Sequence, residues 1–261
     1  MEPSQKTPSQ AADNRSLLRG LELLRAFRPG IDVLSNGELA ERANLPKSTV
    51  SRLTGTLVRA GFLQMDARTG GYRLHATVLG LAHAMRSGSF ILHHALDAMQ
   101  DAGRELRVNV GLAIADQDEM IYLDTLRFGP NASLRKVVSG QRVPMAVTSL
   151  GRAYMSTLQG KERRLLLQRL RQRHDRGWTE IRRQIDDSMF QLYDKGYCVA
   201  SWQPQVIAIS TPLVFQHDPT HVLNMSLYTQ RSQEAVRIDL GPELLKLRDT
   251  ILRHVEQANS E

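Results

Sequence analysis

The sequence predicts an α+β protein in two parts: a small helical unit ending in a hairpin, then a larger unit with an antiparallel sheet and flanking helices. Three observations predict it. Apolar residues recur at helical spacing through residues 16–60. Thr69-Gly70-Gly71 then sits between two short runs of strand type. Beyond residue 107 the apolar period changes, and strands and helices follow without strict alternation.

Each element has a local reason. Leu17, Leu21 and Leu24 place a first helix over 16–27, broken at Pro29-Gly30. Ser35-Asn36-Gly37-Glu38 matches a capping box, in which the Ser35 hydroxyl accepts from the Glu38 N–H and the Glu38 carboxylate accepts from the Ser35 N–H. The short helix that follows has Leu39, Ala40 and Ala43 on one face, and Asn44-Leu45 makes the turn. Pro46 stands at a first helical position, where a missing N–H costs nothing. Val50, Leu53 and Leu57 form a buried stripe, and Gly61 ends the helix. Phe62–Met65 and Tyr72–Leu74 are hairpin strands. Helix, helix, turn, helix, hairpin is the order of a winged helix-turn-helix.

Val78, Leu79, Leu81, Ala82 and Met85 predict a connecting helix up to Gly88, and another helix covers 89–106. Val108–Ile114 and Met120–Leu126 are strands around an acidic turn, which is expected to be solvated, and Leu134–Val138 is a third. Helices are expected over 148–158, 162–173 and 179–195, and strands over 199–201, 206–215 and 221–229. A last helix runs from Pro242 to Ala258. The organisation is a flexible tail over 1–14, a winged helix-turn-helix over 15–76, a linker helix over 77–88 and a second domain over 89–261.

Composition narrows the function. With 261 residues, 41% hydrophobic and 23% charged, the chain can bury two cores and is not disordered. No apolar run reaches the roughly 18 residues that mark a membrane span, and the polar N-terminus lacks a signal-peptide core. Cys198 is the only cysteine, so no internal disulfide forms, which fits a cytoplasmic protein. The net charge of +7 is uneven: residues 1–90 hold 12 Lys/Arg against 7 Asp/Glu, and residues 91–261 hold 22 against 20. Positive charge concentrated in the first third suits a phosphate backbone.

The third helix has the chemistry to read that backbone's bases. Val50, Leu53 and Leu57 face inward, leaving Pro46, Lys47, Ser48, Thr49, Ser51, Arg52 and Thr54 at or near the outer N-terminal end. Lys and Arg donate to guanine acceptors, Ser and Thr pair with several base edges, and the Thr methyl suits thymine. Arg73 on the hairpin is placed for a phosphate. Double-stranded operator DNA is therefore the expected partner.

Other constellations carry less. His217 and His221 flank Asp218, but Pro219 makes a turn there, and no metal is expected. Nucleophile-elbow, Walker A and dinucleotide patterns are absent, so neither an enzyme nor a cofactor is expected. Cys198 reads as a packed thiol, and the arginine-rich stretch 161–176 as a solvated helix face.

With these residues in view, the sequence resembles the IclR-type transcription regulators over nearly its whole length. Glu38-Leu39-Ala40 and Leu45-Pro46-Lys47-Ser48-Thr49-Val50-Ser51-Arg52-Leu53 look like that family's helix-turn-helix signature. Tyr72-Arg73-Leu74 with Leu79-Gly80, Tyr122-Leu123-Asp124, Gly140 with Val143-Pro144, Thr148–Ala153 and Lys195-Gly196-Tyr197 resemble later family segments in the right order. The resemblance implies a GAF-like second domain, homo-oligomers (dimers or tetramers) on DNA, and a small-molecule effector between the sheet and the loop before the Thr148 helix. The chain departs from the family in that region. Ala200 and Ala208 replace more reactive or polar residues, and Asn224 and Ser226 stand for paired serines. Those changes disfavour a glyoxylate-like effector and favour a larger, partly aromatic acid. Leu112, Leu123 and Trp202 are the expected apolar wall, and Thr148, Ser149, Asn224 and Ser226 the polar anchors. The alternatives are an architectural DNA-binding protein without an effector, or an enzyme activity in the second domain.

Overall fold

A computed structural model describes residues 14–129, 138–174 and 176–260. The chain divides into two compact units between Ala84 and Met85.

The first unit contains α1 (Arg15–Arg25), α2 (Asn36–Ala43), α3 (Lys47–Arg59), β1 (Leu63–Met65) and β2 (Tyr72–Leu74), and α4 (Thr77–Ser87) begins in it. The Asn14 side chain caps α1 by accepting from the Ser16 and Leu17 N–H groups. The α2 capping box is formed in both directions, with Glu38 N–H to Ser35 Oγ at 3.2 Å and Ser35 N–H to Glu38 Oε2 at 2.8 Å. Asn44 turns the chain in the left-handed region, with φ 51° and ψ 49°. Leu23, Phe27, Leu34, Leu39, Val50, Leu53 and Leu63 make the core. The α1 stripe differs from expectation: Leu17 and Leu21 are exposed, and Gly20 and Leu23 face inward with Ala26 and Phe27 beyond them. The helix carries two adjacent apolar stripes, and the one continued by Phe27 reaches the core.

The wing is the antiparallel pair β1–β2, with Leu63 opposite Leu74. Buried Asp66 builds its turn by accepting from the Arg68 and Thr69 N–H groups and the Thr69 hydroxyl.

The second unit contains α5 (Phe90–Leu106), β3 (Asn109–Asp116), β4 (Glu119–Arg127), β5 (Arg142–Pro144), α6 (Ser149–Thr157), α7 (Gly160–Arg173), α8 (Trp178–Lys195), β6 (Cys198–Gln203), β7 (Val206–Leu213), β8 (His221–Tyr228) and α9 (Gln233–Asn259). The six strands form one antiparallel sheet in the order β5-β4-β3-β8-β7-β6. One face packs on α5 and α9 through Val110, Leu112, Leu123, Leu223, Met225 and Ile209. The other packs toward α6, α7 and α8 through Ala113, Met120, Tyr122, Cys198 and Val222.

Two expectations need correction here, and a third falls outside the described residues. Residues 134–137 of the expected third strand lie outside the described residues, and β5 takes the place beside β4. Its Arg142 pairs with Asp116 and Glu119, so these acids of the β3–β4 turn are ion-paired rather than solvated. Asp118 of the same turn is buried and pairs with Arg173 at 2.7 Å. The last helix begins nine residues before Pro242, where Ser232 caps the Ala235 N–H, and Pro242 lies inside it. A helical proline removes one hydrogen bond. Burial of Val236, Leu240, Leu244, Leu247, Ile251 and Val255 along the same helix offsets that loss.

Candidate DNA interface and effector site

The α3 N-terminus presents Pro46, Lys47, Ser48, Ser51 and Arg52 to solvent, with Thr49 half-buried. The α2–α3 angle is pinned by Asn36, a residue that sequence reasoning passed over. Its Nδ2 donates to the Lys47 carbonyl at 3.2 Å, and its Oδ1 accepts from Ser51 Oγ at 3.4 Å. Two expectations change. Thr54 is fully buried, and its hydroxyl donates to the Val50 carbonyl at 2.9 Å, so it belongs to the core side of α3. A residue at position i+4 from Val50 lies over the same face, which is why a polar type alone misplaced it. Arg73 is ion-paired with buried Asp66, so its charge holds the wing together. Arg68, at the wing tip, is exposed.

In the second unit, strand alternation sorts the expected effector residues onto two faces. Leu112 and Leu123 point into the α5–α9 core and cannot line a site near α6. Beside them, Gly111 and Tyr122 face the other way. A Cβ on Gly111 would stand 2.5 Å from Tyr122 Cε1 and 2.6 Å from Asn224 Oδ1, so the missing side chain makes room for both. Burial raises the pKa of the Tyr122 hydroxyl, and the neighbouring Asn224 side chain partly opposes that shift. Asn224 Oδ1 is buried without a hydrogen-bond partner among the described residues.

Thr148 and Ser149 join this layer from α6. Thr148 caps the helix, accepting from the Gly151 N–H at 3.2 Å and donating to the Pro144 carbonyl at 2.8 Å. Ser149 Oγ lies 2.8 Å from Ser210 Oγ. The loop before α6 sits hard against the helix: a Cβ on Gly151 would lie 2.0 Å from the Met145 carbonyl oxygen. Thr148, Ser149, Ser210, Tyr122 and Asn224 thus form a buried polar layer walled by Met120, Met145 and Ala146. Ser226 is half-buried and pairs in register with Ala208. Trp202 is 37% exposed and sits in a register shift of edge strand β6, outside the layer.

The remaining groups fall into place. Cys198 is fully buried, and burial pushes its thiol up to about 12. His221 is buried with Nδ1 2.7 Å from the Pro219 carbonyl oxygen. Among the described residues no group of three His, Cys, Asp or Glu side chains could hold a metal. No helix among them is long and apolar enough to cross a membrane.

A winged helix-turn-helix joined to a GAF-like sheet with a buried polar layer defines a class: DNA-binding transcription regulators with a separate effector domain. Comparison with known proteins gives the family. Residues 16–67 match the IclR helix-turn-helix domain, and residues 83–251 match the bacterial transcriptional regulator IclR C-terminal domain. The chain belongs to the IclR family of transcription regulators. It is 30% identical over 254 residues to the HTH-type transcriptional regulator TsaQ1/TsaQ2 of Comamonas testosteroni, covering 93% of this chain and 90% of that one. The structure of an IclR family regulator from Brucella abortus superposes with a TM-score of 0.85 at 34% identity, covering 97% and 96% of the two chains. An IclR homolog from Microbacterium hydrocarbonoxydans, solved with 4-hydroxybenzoate, shares the fold at a TM-score of 0.67 and 18% identity, covering 93% and 99%.

Proposed function

We propose that this regulator controls catabolic genes in response to a small organic acid with an aromatic or apolar body, bound in the second unit. The buried layer around Tyr122 and Asn224 carries the reading. It is the mostly apolar setting with a few placed polar groups that small-molecule sites have, and one of its polar atoms is unpaired among the described residues. The Microbacterium homolog holds an aromatic acid on the same fold. Calorimetry of the full chain with aromatic acids, aliphatic acids and glyoxylate tests the proposal, with Ser149→Val and Asn224→Leu as controls. Tight glyoxylate binding, or aromatic binding that survives both substitutions, would refute it.

Operator DNA is read by the exposed end of α3, with Lys47, Ser48, Thr49, Ser51 and Arg52 toward the major groove and Arg68 toward a phosphate. Arg52→Ala is expected to weaken operator binding by about 1–3 kcal/mol and to relax sequence preference. Footprinting against operator and random DNA checks this. An equal loss on both would make Arg52 a phosphate contact only, and unchanged binding would mean that another face reads the DNA.

The regulator acts as a homo-oligomer. Leu17, Leu18 and Leu21 are exposed on α1, and α4 buries none of its residues, leaving Leu79 73% exposed. A second copy is the occupant that a two-fold operator supplies. A monomer in sedimentation, with and without DNA, would overturn this.

A further inference from the structure

Outside one segment, the second unit carries a net negative charge. Residues 91–261 hold 22 Lys/Arg against 20 Asp/Glu, yet 160–176 alone hold seven against two, which leaves 15 against 18 elsewhere. That segment is α7 and the three residues after it. Leu166 and Leu170 are buried and fix which face of α7 turns outward. Lys161, Arg164, Gln168, Arg171 and Gln172 recur at spacings of three and four on the opposite face, and all five are exposed.

The arginines of the neighbouring helices are paired with acids about one turn away. On α8, Arg182 pairs with Asp186, and Arg183 with Glu180 and Asp187; on α9, Arg237 pairs with Glu234. On α7, Arg173 pairs with Asp118, and half-buried Arg163 donates to the Ser156 carbonyl at 3.2 Å. Lys161, Arg164 and Arg171 make no ion pair among the described residues. An ordinary solvated face mixes both signs, as α8 does. Like charges a turn apart, such as Lys161 and Arg164, repel until an anion lies across them.

We propose that the exposed face of α7 is a second DNA contact, which holds the phosphate backbone of duplex lying beyond the base pairs that α3 reads. Its chemistry fits that partner. Arginine matches phosphate oxygens with its planar fork, and the Gln168 and Gln172 amides add neutral donors. Ten residues from Lys161 to Arg171 rise about 15 Å, the axial rise of about four phosphates on one strand. An acidic protein partner would also want an apolar patch, and on this helix Leu165 alone is an exposed large hydrophobic residue among those described. The contact is blind to sequence, so it does not depend on which α3 side chains read bases.

Binding of the full chain to two duplexes over a range of salt concentrations tests it. One is long, with the operator at its centre, and the other is trimmed to the bases that set specificity. Lys161→Gln/Arg164→Gln/Arg171→Gln removes three charges, and Lys161→Arg/Arg164→Lys/Arg171→Lys keeps them. On the long duplex the neutral variant is expected to flatten the slope of log affinity against log salt by about 2–3 and to bind at least about tenfold more weakly at low salt. The trimmed duplex should hardly distinguish it from wild type, and the charge-keeping variant should restore the wild-type slope. Arg52→Ala added to the neutral variant should relax sequence preference without changing this loss, which separates α7 from α3. An unchanged slope on the long duplex, an equal loss on both duplexes, or a charge-keeping variant as weak as the neutral one would overturn the proposal. So would unchanged DNA binding with lost binding of polyglutamate, which would assign the face to an acidic protein.

Discussion

Adding one methyl group at Gly111 perturbs the buried layer at its tightest point. A Cβ there would stand 2.5 Å from Tyr122 Cε1 and 2.6 Å from Asn224 Oδ1, where ordinary contact begins at 3.4 Å. One neighbour or both must therefore move by close to 1 Å. Neither has room to retreat: Tyr122 is 8% exposed and Asn224 2% exposed, both on central parts of the sheet. Overpacking of this kind costs about 1–3 kcal/mol. The reduced freedom of the unfolded chain returns roughly 0.4–1 kcal/mol, leaving a net loss of about 1–2 kcal/mol. At roughly 2–4 °C per kcal/mol for a unit of this size, the transition of the second unit should fall by about 2–8 °C. Calorimetry of Gly111→Ala measures it, with operator affinity of the ligand-free protein as a control expected to stay unchanged. The double variant Gly111→Ala/Tyr122→Leu removes the ring that is struck, so its loss should be smaller than the sum of the two single losses. An unchanged or raised transition for Gly111→Ala, or strict additivity in the double variant, would refute the packing described for this layer.

Two further outcomes are expected. Burial holds the His221 imidazole below its ordinary value of 6.5. As pH falls through that value the unfolded chain takes up its proton first, so stability falls with pH from there until the folded group also protonates. Melting temperature should therefore decline more steeply below about pH 6.5 in wild type than in His221→Gln, and parallel curves would contradict the assignment. Arg86, near the end of α4, donates to the Leu123 carbonyl at 2.6 Å, the Ser139 hydroxyl at 3.0 Å and Asp124 Oδ2 at 2.7 Å, directly after Tyr122 in β4. Arg86→Gln should leave effector affinity within a few-fold and cut the effector's influence on operator affinity by about fivefold or more. An unchanged ratio of operator affinities with and without effector would show that this clamp carries no coupling.

The fold was readable wherever short-range chemistry suffices. Ser35 and Glu38 satisfy each other's N–H groups without help from the rest of the molecule, and Thr69-Gly70-Gly71 turns the wing around Asp66. It became unreadable where tertiary packing chooses between local options. Either apolar stripe of α1 makes an acceptable helix, and only the position of Phe27 selects Leu23 over Leu21. The three residues of β5 are too few to show a period, and what commits them to the sheet is Arg142 meeting Asp116 and Glu119 across the chain. A lone proline misleads for α9 as well: Pro242 would mark a helix start only if no earlier cap competed, and Ser232 does compete.

The effector site was harder to read for a related reason. Val110, Gly111, Leu112 and Ala113 are all buried, so polar alternation cannot say which face each one joins. Leu112 and Leu123 were the obvious apolar wall by type, yet the layer took their small and aromatic neighbours, Gly111 and Tyr122. The polar anchors were legible as residues but not as a network. Thr148 is occupied by the Gly151 N–H and the Pro144 carbonyl, and Ser149 by Ser210, so a ligand there would exchange existing hydrogen bonds and gain little. Asn224 Oδ1 differs because it has no partner to give up among the described residues, and satisfying such an atom recovers about 1–3 kcal/mol. That oxygen accepts and does not donate, so the layer favours a ligand hydroxyl over a bare carboxylate.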